Sequence, residues 1–138
     1  MGQKKVIYNI VKFYNWRKSM IALSSTDGTL DGRMDERFGR AKKFVIYNSE
    51  TQESKVIDNK LNMDAPQGAG IQTAQNVINA GAKIVISGHM GPNAFKVLAA
   101  AGIEAYVASD MTCSEALKAF KEGKLIKLTD ANVSGHWI

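Results

Sequence analysis

The sequence predicts an α/β fold of three layers, with a mixed sheet of about five strands. Short apolar runs typical of strands alternate with segments in which apolar residues recur every three or four positions, as on one helix face. An apparent antiparallel hairpin precedes three strand and helix units, which normally join parallel strands by right-handed crossovers. The 138 residues, 45% apolar and 22% charged, suffice for one domain with its own hydrophobic core.

The first half of the chain predicts a strand, a long loop and a hairpin. The apolar run 20–25 predicts the first strand, and the glycine-rich segment 26–39 predicts the loop. Segments 41–48 and 54–59 flank a polar turn and predict the hairpin. Its first strand is apolar on both faces, so we expect both faces to be covered. A polar, turn-prone linker then leads to residue 70.

The second half predicts three helices, each ending at a glycine that can adopt the left-handed conformation. The residues expected to face the core are Ile71, Ala74, Val77 and Ile78 in the first helix and Ala94, Phe95, Leu98 and Ala101 in the second. The helix ends are expected at Gly81, Gly102 and Gly123. Pro92 suits the start of the second helix, because that position needs no N–H group. Thr112 and Glu115 form a capping-box pair that opens the third helix.

Two strands separate these helices. The continuous apolar run 84–86 predicts a buried parallel strand, and 103–109 predicts the next one. Residues 124–130 predict either a final edge strand or an extended tail.

The net charge of +5 is concentrated at the start of the chain. Residues 1–19 contain five basic and no acidic residues, and the rest of the chain contains 13 of each sign. This distribution gives no support for a nucleic-acid partner of the folded domain. We therefore predict that residues 1–19 are a basic, aromatic extension outside the fold and that the domain spans 20–138. The alternative is a membrane-surface or partner-docking helix, because Ile7, Ile10, Val11 and Tyr14 would share one helical face.

The expected location is cytoplasmic. No window approaches the roughly 18 apolar residues of a transmembrane helix, and no secretory signal pattern is visible. The single cysteine, Cys113, agrees with a reducing compartment.

The segment 68–102 predicts a binding site for an anion. Two glycine-bearing turns each lead into a helix, and a buried strand separates them, so both helix N-termini should face one edge of the sheet. The candidate residues are Gly68, Ala69, Gly70, Gly88, Gly91 and Asn93, together with the guanidinium of Arg40. Turn geometry alone is the alternative role for each glycine.

Three residues could supply softer metal ligands. His89 and Met90 follow a predicted strand at the edge where α/β proteins bind ligands, although a backbone-bonded histidine beside a packed methionine is the alternative. Cys113 follows the predicted N-cap Thr112, so the helix dipole should lower the pKa of an exposed thiol. A buried Cys113 would instead act as a small apolar residue. A resident zinc or iron–sulfur centre is not expected, because the sequence has no cysteine pair or histidine and cysteine cluster.

The loop before the second strand carries both signs of charge. Its charged residues are Asp27, Asp31, Arg33, Asp35, Glu36, Arg37 and Arg40. Such alternation is typical of a solvated loop, so we expect Asp35 and Glu36 to be surface or salt-bridged residues without a catalytic role.

Three blocks of the sequence resemble the dinitrogenase iron-molybdenum cofactor biosynthesis family, in its NifX/NafY-type and orange-protein-like form. The blocks are DERFGRAKKFVIYN, GAGIQTAQNVINAGAKIVISGHMGPNAFKVLAAAGIEAYV and ANVSGHWI. The resemblance covers essentially all of residues 20–138. It adds Phe38 and Gly39 to the candidate binding residues. Many members carry a histidine just before the FGR triplet, where this chain has Arg37.

The resemblance implies a ribonuclease H-like fold and a function connected with nitrogen fixation, although such domains also occur outside that pathway. The implied function is non-covalent binding or carriage of a metal–sulfur cluster or precursor, of the iron-molybdenum or molybdenum-copper type, without catalysis. Cluster donor or acceptor proteins are the implied partners. A glycine-rich binding loop should become ordered when the ligand binds.

Two alternative functions stay open at this point. A ribonuclease H-like metal-dependent nuclease would need several carboxylates on neighbouring strand ends, whereas the acidic residues here crowd into one loop. A regulatory domain that binds a phosphate ligand could use the same helix N-termini, but the sequence has no Walker lysine or dinucleotide fingerprint.

Overall fold

A computed structural model describes residues 17–130, which form a six-stranded mixed sheet with helices on both faces. The strands are β1 (Met20–Ser25), β2 (Lys43–Asn48), β3 (Ser54–Asp58), β4 (Ala82–Ser87), β5 (Glu104–Val107) and β6 (Ile126–Lys127). Their order in the sheet is β3-β2-β1-β4-β5-β6. The expected count of about five was one too low, because part of segment 124–130 pairs with β5 as an edge strand.

The strand directions place the ends of three strands at one edge. Strand β1 runs parallel to β4, and β4 runs parallel to β5. Strand β2 is antiparallel to β1, and β3 is antiparallel to β2, which confirms the hairpin. We call the edge where β1, β4 and β5 end the carboxyl edge.

Four helices connect or flank the strands. They are α1 (Lys60–Met63), α2 (Ala69–Asn79), α3 (Pro92–Ala100) and α4 (Cys113–Lys121). The short helix α1 occupies part of the segment predicted to be a linker. The three longer helices are followed by Gly81, Gly102 and Gly123, whose φ angles of +88°, +75° and +72° confirm the predicted helix ends. The capping box of Thr112 and Glu115 is also present.

The core consists of two clusters separated by the sheet. Helices α2 and α3 pack on one face, where Phe44, Ile46 and Val85 are buried. Helix α4 packs on the other face against Leu23 and Ile86. All four central residues of β2 are at most 5% exposed, so the expectation that both its faces are covered is confirmed. The protein therefore has the predicted three layers.

The buried face of α2 is rotated from the predicted one. Ile71 is 42% exposed, whereas Thr73 is fully buried beside Ala74 and Val77. The hydroxyl of Thr73 has a hydrogen-bond acceptor inside the protein, the carbonyl oxygen of Gly39. Burial of this polar side chain therefore costs little, and the apolar Ile71 takes the solvent side.

In the second predicted face, Ala94 and Leu98 are buried, but Ala101 lies beyond α3 and is exposed. Residues 1–16 and the terminal segment 131–138 lie outside the described part, so most of the predicted extension and the last block of the family resemblance are not placed. Within residues 17–130, no helix is long and apolar enough to cross a membrane.

Candidate anion-binding site at the carboxyl edge

The loop between β1 and β2 lies alongside the turn that follows β4. The N–H of Phe38 donates to the carbonyl of His89 at 2.9 Å, and the N–H of His89 donates to the carbonyl of Glu36 at 2.6 Å. A Cβ atom on Gly88 would lie 2.4 Å from the Glu36 oxygen, closer than real Cβ contacts come. Only glycine at position 88 therefore allows this approach.

The same loop crosses the first turn of α2. A Cβ atom on Gly39 would lie 3.0 Å from Gly70 Cα, and one on Gly70 would lie 3.2 Å from the Cβ of Ala94 in α3. The backbone at Gly39 thus contacts the start of α2, which in turn packs directly against the start of α3. The two helix N-termini that the sequence predicted at one edge are neighbours in the structure.

Neither of these helices has a side-chain cap among the described residues. Their N-caps are Gly68, with a φ angle of +78°, and Gly91 in an extended conformation. The amide groups of a first helical turn have no partner within the helix and form the positive end of its dipole. Two adjacent positive ends therefore favour a negatively charged group at this place.

The N-terminus of α4 lies at the same edge, but its backbone N–H groups already have acceptors within the protein. The N–H groups of Cys113 and Ser114 donate to the carbonyls of Gly32 and Leu30, at 2.9 and 2.7 Å. The third group, on Glu115, donates to the Thr112 hydroxyl at 3.1 Å. Among the described residues, the donors at the start of α4 are therefore occupied by the protein itself, whereas no side chain caps the starts of α2 and α3.

A buried polar network holds the loop to α2. Thr73 Oγ1 donates to the carbonyl of Gly39 at 2.8 Å. Asn59, which is 2% exposed, donates through Nδ2 to the carbonyl of Ala41 at 2.9 Å and to Thr73 Oγ1 at 3.0 Å. Its Oδ1 accepts from Asn62 Nδ2 at 2.8 Å. Every strong donor and acceptor of this cluster is thereby used within the protein.

Arg40 contacts the segment before α2. Its Nη1 donates to the carbonyl oxygens of Met63 and Ala65, at 3.1 and 2.7 Å, and the residue is half-buried. These bonds order residues 63–65, which lead to the N-cap Gly68. Its predicted contact with an anion stays a prediction.

Three polar side chains face solvent at the carboxyl edge. His89 and Asn93 are exposed, and the side chain of Arg37 is 59% exposed, with Nε 3.8 Å from Asp35 Oδ1. His89 and Asn93 were predicted to bind the ligand. Their exposure leaves both side chains accessible from solvent, and their contact with an anion stays a prediction.

Phe38 and Met90 are buried in the core, at 0% and 1% exposure. The ring of Phe38 meets that of Phe44 edge-on, with centroids 5.4 Å apart. The two side chains therefore anchor the loop and the turn by packing. Of the two roles considered for Met90, the structure shows the packed methionine, because its thioether lies inside the protein.

Cys113 takes the buried alternative, so the lowered pKa expected for an exposed thiol does not apply. Cys113 is fully buried, and its Sγ lies 3.9 Å from the carbonyl oxygen of Ser24. Burial raises the pKa of the Cys113 thiol to about 11, because removal from water disfavours the charged thiolate. A neutral, buried thiol is not available as a metal ligand in this conformation.

The two acidic residues of the loop hold its backbone. Asp35 is only 8% exposed and pairs with the Arg37 guanidinium at 3.8 Å, so it is the salt-bridged residue that the sequence allowed and not a surface one. Its carboxylate accepts from the N–H groups of Arg37 and Lys42. The Glu36 carboxylate accepts from Ser109 Oγ at 2.7 Å and from the Asp110 N–H at 2.8 Å. In residues 17–130, no group of three or more His, Cys, Asp or Glu residues could hold a metal ion.

Sequence reasoning missed the contributions of Glu36, Asn59 and Thr73 to this site. Apart from Asn62, which lies three positions after Asn59, their partners lie 14 to 74 positions away along the chain, so no local pattern reveals them. One signal in the sequence could have revealed the role of Thr73: it is a polar residue next to Ala74, which was predicted to lie on the buried face of the helix.

Comparison with known proteins places the chain in a family. Residues 17–123 match the family described as dinitrogenase iron-molybdenum cofactor. An uncharacterized protein of Methanocaldococcus jannaschii is 33% identical over 100 residues, which are 70% of this chain and 84% of that protein.

Two solved structures are similar over most of their length. The apo form of the orange protein from Desulfovibrio gigas has a TM-score of 0.81 and 34% identity, over 83% of this chain and 97% of the other. A Thermotoga protein of the DUF35 family, solved by NMR, has a TM-score of 0.74 and 34% identity over the same shares. The resemblance seen in the sequence is thus confirmed, and the chain belongs to the dinitrogenase iron-molybdenum cofactor family.

Proposed function

We propose that the protein binds and carries an anionic metal–sulfur cluster or cofactor precursor, of the iron-molybdenum or molybdenum-copper type, without catalysing a reaction. The observation that carries this proposal is the pair of adjacent helix N-termini, α2 and α3, that lack a side-chain cap among the described residues. Membership in the dinitrogenase iron-molybdenum cofactor family supports a cluster as the anion. Cluster donor or acceptor proteins are the proposed partners.

The proposed binding mode combines backbone and side-chain groups. Backbone N–H groups around 68–70 and at Gly91, the end of the predicted turn 88–91, hold the anion together with the Asn93 amide by hydrogen bonds, which strengthen when the acceptor is charged. The His89 N–H is not among these donors, because it already donates to the Glu36 carbonyl. The exposed guanidinium of Arg37 adds electrostatic attraction, and Arg40 can join it when its carbonyl contacts open. His89 is the one exposed side chain of this set that can also coordinate a soft or borderline metal.

We also propose that the fold is of the ribonuclease H-like type. The sheet order β3-β2-β1-β4-β5, with β2 antiparallel to its neighbours, supports this assignment. A nuclease function does not follow from it, because fold alone does not determine function. The loop carboxylates of Asp35 and Glu36 are bonded to backbone N–H groups instead of facing one another.

The test is retention of a chromophore by the full-length chain. Protein is incubated with tetrathiomolybdate and copper, or with an isolated iron-molybdenum cofactor precursor, and passed through gel filtration. We expect visible charge-transfer absorbance to co-elute with the protein. No retained chromophore with any of these ligands would contradict the proposal.

Variants of the exposed side chains separate coordination from electrostatic capture. Loss of the characteristic absorbance bands in His89→Ala, with metal still retained, indicates coordination by the imidazole. Weaker binding in Arg37→Ala with unchanged bands indicates capture by charge. Lys83→Ala is the matched control, because Lys83 is an exposed cation near the opposite end of β4.

A further inference from the structure

We propose that Asn59 and Thr73 are positioning residues of the candidate site, which fix the backbone of residues 38–41 over the first turn of α2 before any ligand is present. This inference rests on the proposed function. It also differs from the sequence-based expectation that the glycine-rich loop becomes ordered only on binding.

The first step of the argument is that the network joins the two parts of the site directly. Gly39 and Ala41 belong to the loop, and their carbonyl oxygens are the acceptors for Thr73 Oγ1 and Asn59 Nδ2. Thr73 lies one turn into α2, whose first turn contacts Gly39 through Gly70. The two side chains therefore set the distance between the loop and the helix N-terminus.

The second step is that the hydrogen-bonding groups allow one arrangement. The Thr73 hydroxyl has one proton, which it gives to the Gly39 carbonyl at 2.8 Å, so it accepts from Asn59. The Asn59 amide then directs one proton to Thr73 and the other to Ala41. The Ala41 carbonyl can only accept, so the Asn59 atom that faces it is Nδ2, which fixes the orientation of the amide and turns its oxygen to Asn62 Nδ2.

The third step is burial. Thr73 is fully buried and Asn59 is 2% exposed, so water cannot readily replace a lost partner. A polar group left unpaired at such a position is costly, which makes the closed arrangement strongly preferred over an open loop. A preformed site also avoids the entropy cost of ordering a loop when the ligand binds.

The test compares Thr73→Val with Thr73→Ser in the full-length protein. Valine keeps the branched shape of threonine but lacks the hydroxyl, whereas serine retains it. In Thr73→Val we expect faster amide hydrogen exchange at residues 38–41 and about tenfold weaker retention of the molybdenum and copper chromophore. Thr73→Ser should restore both properties.

Ile46→Val is the control for loss of stability alone, because Ile46 is buried in the same core cluster but lies outside the network. It should lower the unfolding midpoint without changing exchange at 38–41 or ligand retention. If Ile46→Val weakens retention as much as Thr73→Val does, or if Thr73→Val binds like the unchanged protein, the positioning role is wrong.

Failure of the positioning role can be told apart from failure of the proposed carrier function. If the unchanged protein binds no probe, the carrier function fails, while the exchange rates at 38–41 still decide whether the network fixes the loop. If Thr73→Val does not fold, Asn62→Ala replaces it, because this change removes one bond to the Asn59 oxygen from a half-buried residue. Unchanged exchange in Asn62→Ala would then overturn the inference.

Discussion

Glycines of the described fold are required for two different reasons. Gly81, Gly102 and Gly123 have positive φ angles, and a Cβ atom on any of them would meet nothing within 4 Å. Gly39 and Gly88 have no such φ angle, but a Cβ atom on either would collide with neighbouring backbone. The first group shapes helix ends, and the second allows two loops and a helix to approach one another.

Gly88→Ala is expected to separate the loop from the turn after β4. Its new Cβ atom would lie 2.4 Å from a backbone oxygen, which no side-chain rotation can relieve. Overpacking of this kind costs about 1 to 3 kcal/mol in the free energy of unfolding. Urea unfolding measures this loss, and gel filtration with tetrathiomolybdate and copper should show that the variant no longer retains the chromophore.

Gly102→Ala provides the comparison. It should cost about 1 kcal/mol, because an alanine in the left-handed conformation is strained even in open space. Chromophore retention should be unchanged, since Gly102 follows α3 at the end opposite its N-terminus. Equal losses of retention in the two variants would show that general destabilisation, and not the approach of loop and turn, explains the effect.

The buried thiol of Cys113 should make stability depend on pH above 9. Its pKa is about 11 in the folded protein, against an ordinary value of 9.0, because burial disfavours the thiolate. Between these values the unfolded chain loses the thiol proton and the folded chain keeps it. This contribution to stability is therefore complete below pH 9 and is lost as the pH rises to about 11. The free energy of unfolding should fall by at most roughly 2 to 3 kcal/mol over this range.

Urea unfolding at pH 7 to 11 checks this dependence, with Cys113→Ala as the reference, because lysines and tyrosines titrate in the same range. The fall in stability should be smaller in the variant. Alkylation with iodoacetamide at pH 8 should also be slow until the protein is unfolded. Identical pH profiles for the two proteins would contradict the raised pKa.

At the scale of single residues, the sequence predicted those roles that depend on nearby positions. Pro92, Thr112 and the glycine after each long helix were placed correctly, because their effects extend over a few residues. The pKa of Cys113 and the burial of Thr73 depend on what packs against them from distant parts of the chain. Such surroundings are not visible in a local pattern.

At the scale of elements, three helices begin at the carboxyl edge but are not equivalent. Helices α2 and α3 lack side-chain caps among the described residues, whereas α4 has a complete capping box. A capped N-terminus is stabilised by the protein itself, and an uncapped one leaves donors for a ligand. This difference in capping supports the proposal that the anion binds at the starts of α2 and α3.

Thr112→Ala should therefore lower stability without affecting ligand binding. Removal of the cap is expected to cost about 1 kcal/mol, because the Glu115 N–H loses its acceptor, the Thr112 hydroxyl. The reciprocal bond to the Glu115 carboxylate is retained, since the backbone N–H of residue 112 donates it. Urea unfolding measures the loss, and chromophore retention by the folded variant should equal that of the unchanged protein. Reduced retention would assign α4 to the binding site.

The sequence predicted most elements and their order, but not how two of them meet. The hairpin and the alternation of strands and helices follow from the period of apolar residues, which is a local property. Helix α1 and the contact of Gly39 with Gly70 were not foreseen, since both depend on tertiary contacts such as the bonds of Arg40 to the carbonyls of Met63 and Ala65. The sequence thus predicted that the starts of α2 and α3 lie at one edge, but not the contacts that hold the loop against them, and ligand binding there stays a prediction.

At the scale of the whole molecule, the positive charge of the chain is concentrated near its start. Among residues 17–130, the strands and helices named above lie between residues 20 and 127, and the family match begins at residue 17. Residues 1–16 contain three lysines and no acidic residue, so they contribute three of the five net positive charges. Most of the excess positive charge therefore precedes the part of the chain that matches the family.

Deletion of residues 1–16 should leave the fold and ligand retention unchanged. The deletion keeps Ser19, whose carbonyl accepts from the Ser49 N–H at 3.1 Å, and so preserves the start of β1. It lowers the formal net charge by three, so the shortened protein should elute from a cation exchanger at lower salt. Thermal unfolding followed by circular dichroism checks the fold. If the shortened protein is insoluble, or if its unfolding midpoint is lower by more than a few degrees, residues 1–16 are part of the domain.

The same deletion tests the alternative of a membrane-surface helix. Full-length and shortened protein are sedimented with vesicles of anionic lipid, alongside a full-length variant in which Lys4, Lys5 and Lys12 are replaced by glutamine. Binding that needs both the lysines and the apolar residues is characteristic of an amphipathic interfacial helix, because charge and apolar burial both contribute to its affinity. If residues 1–16 are a dispensable extension, none of the three proteins should sediment with the vesicles. Sedimentation of the unchanged full-length chain, but not of the shortened protein or the glutamine variant, would instead assign membrane docking to residues 1–16.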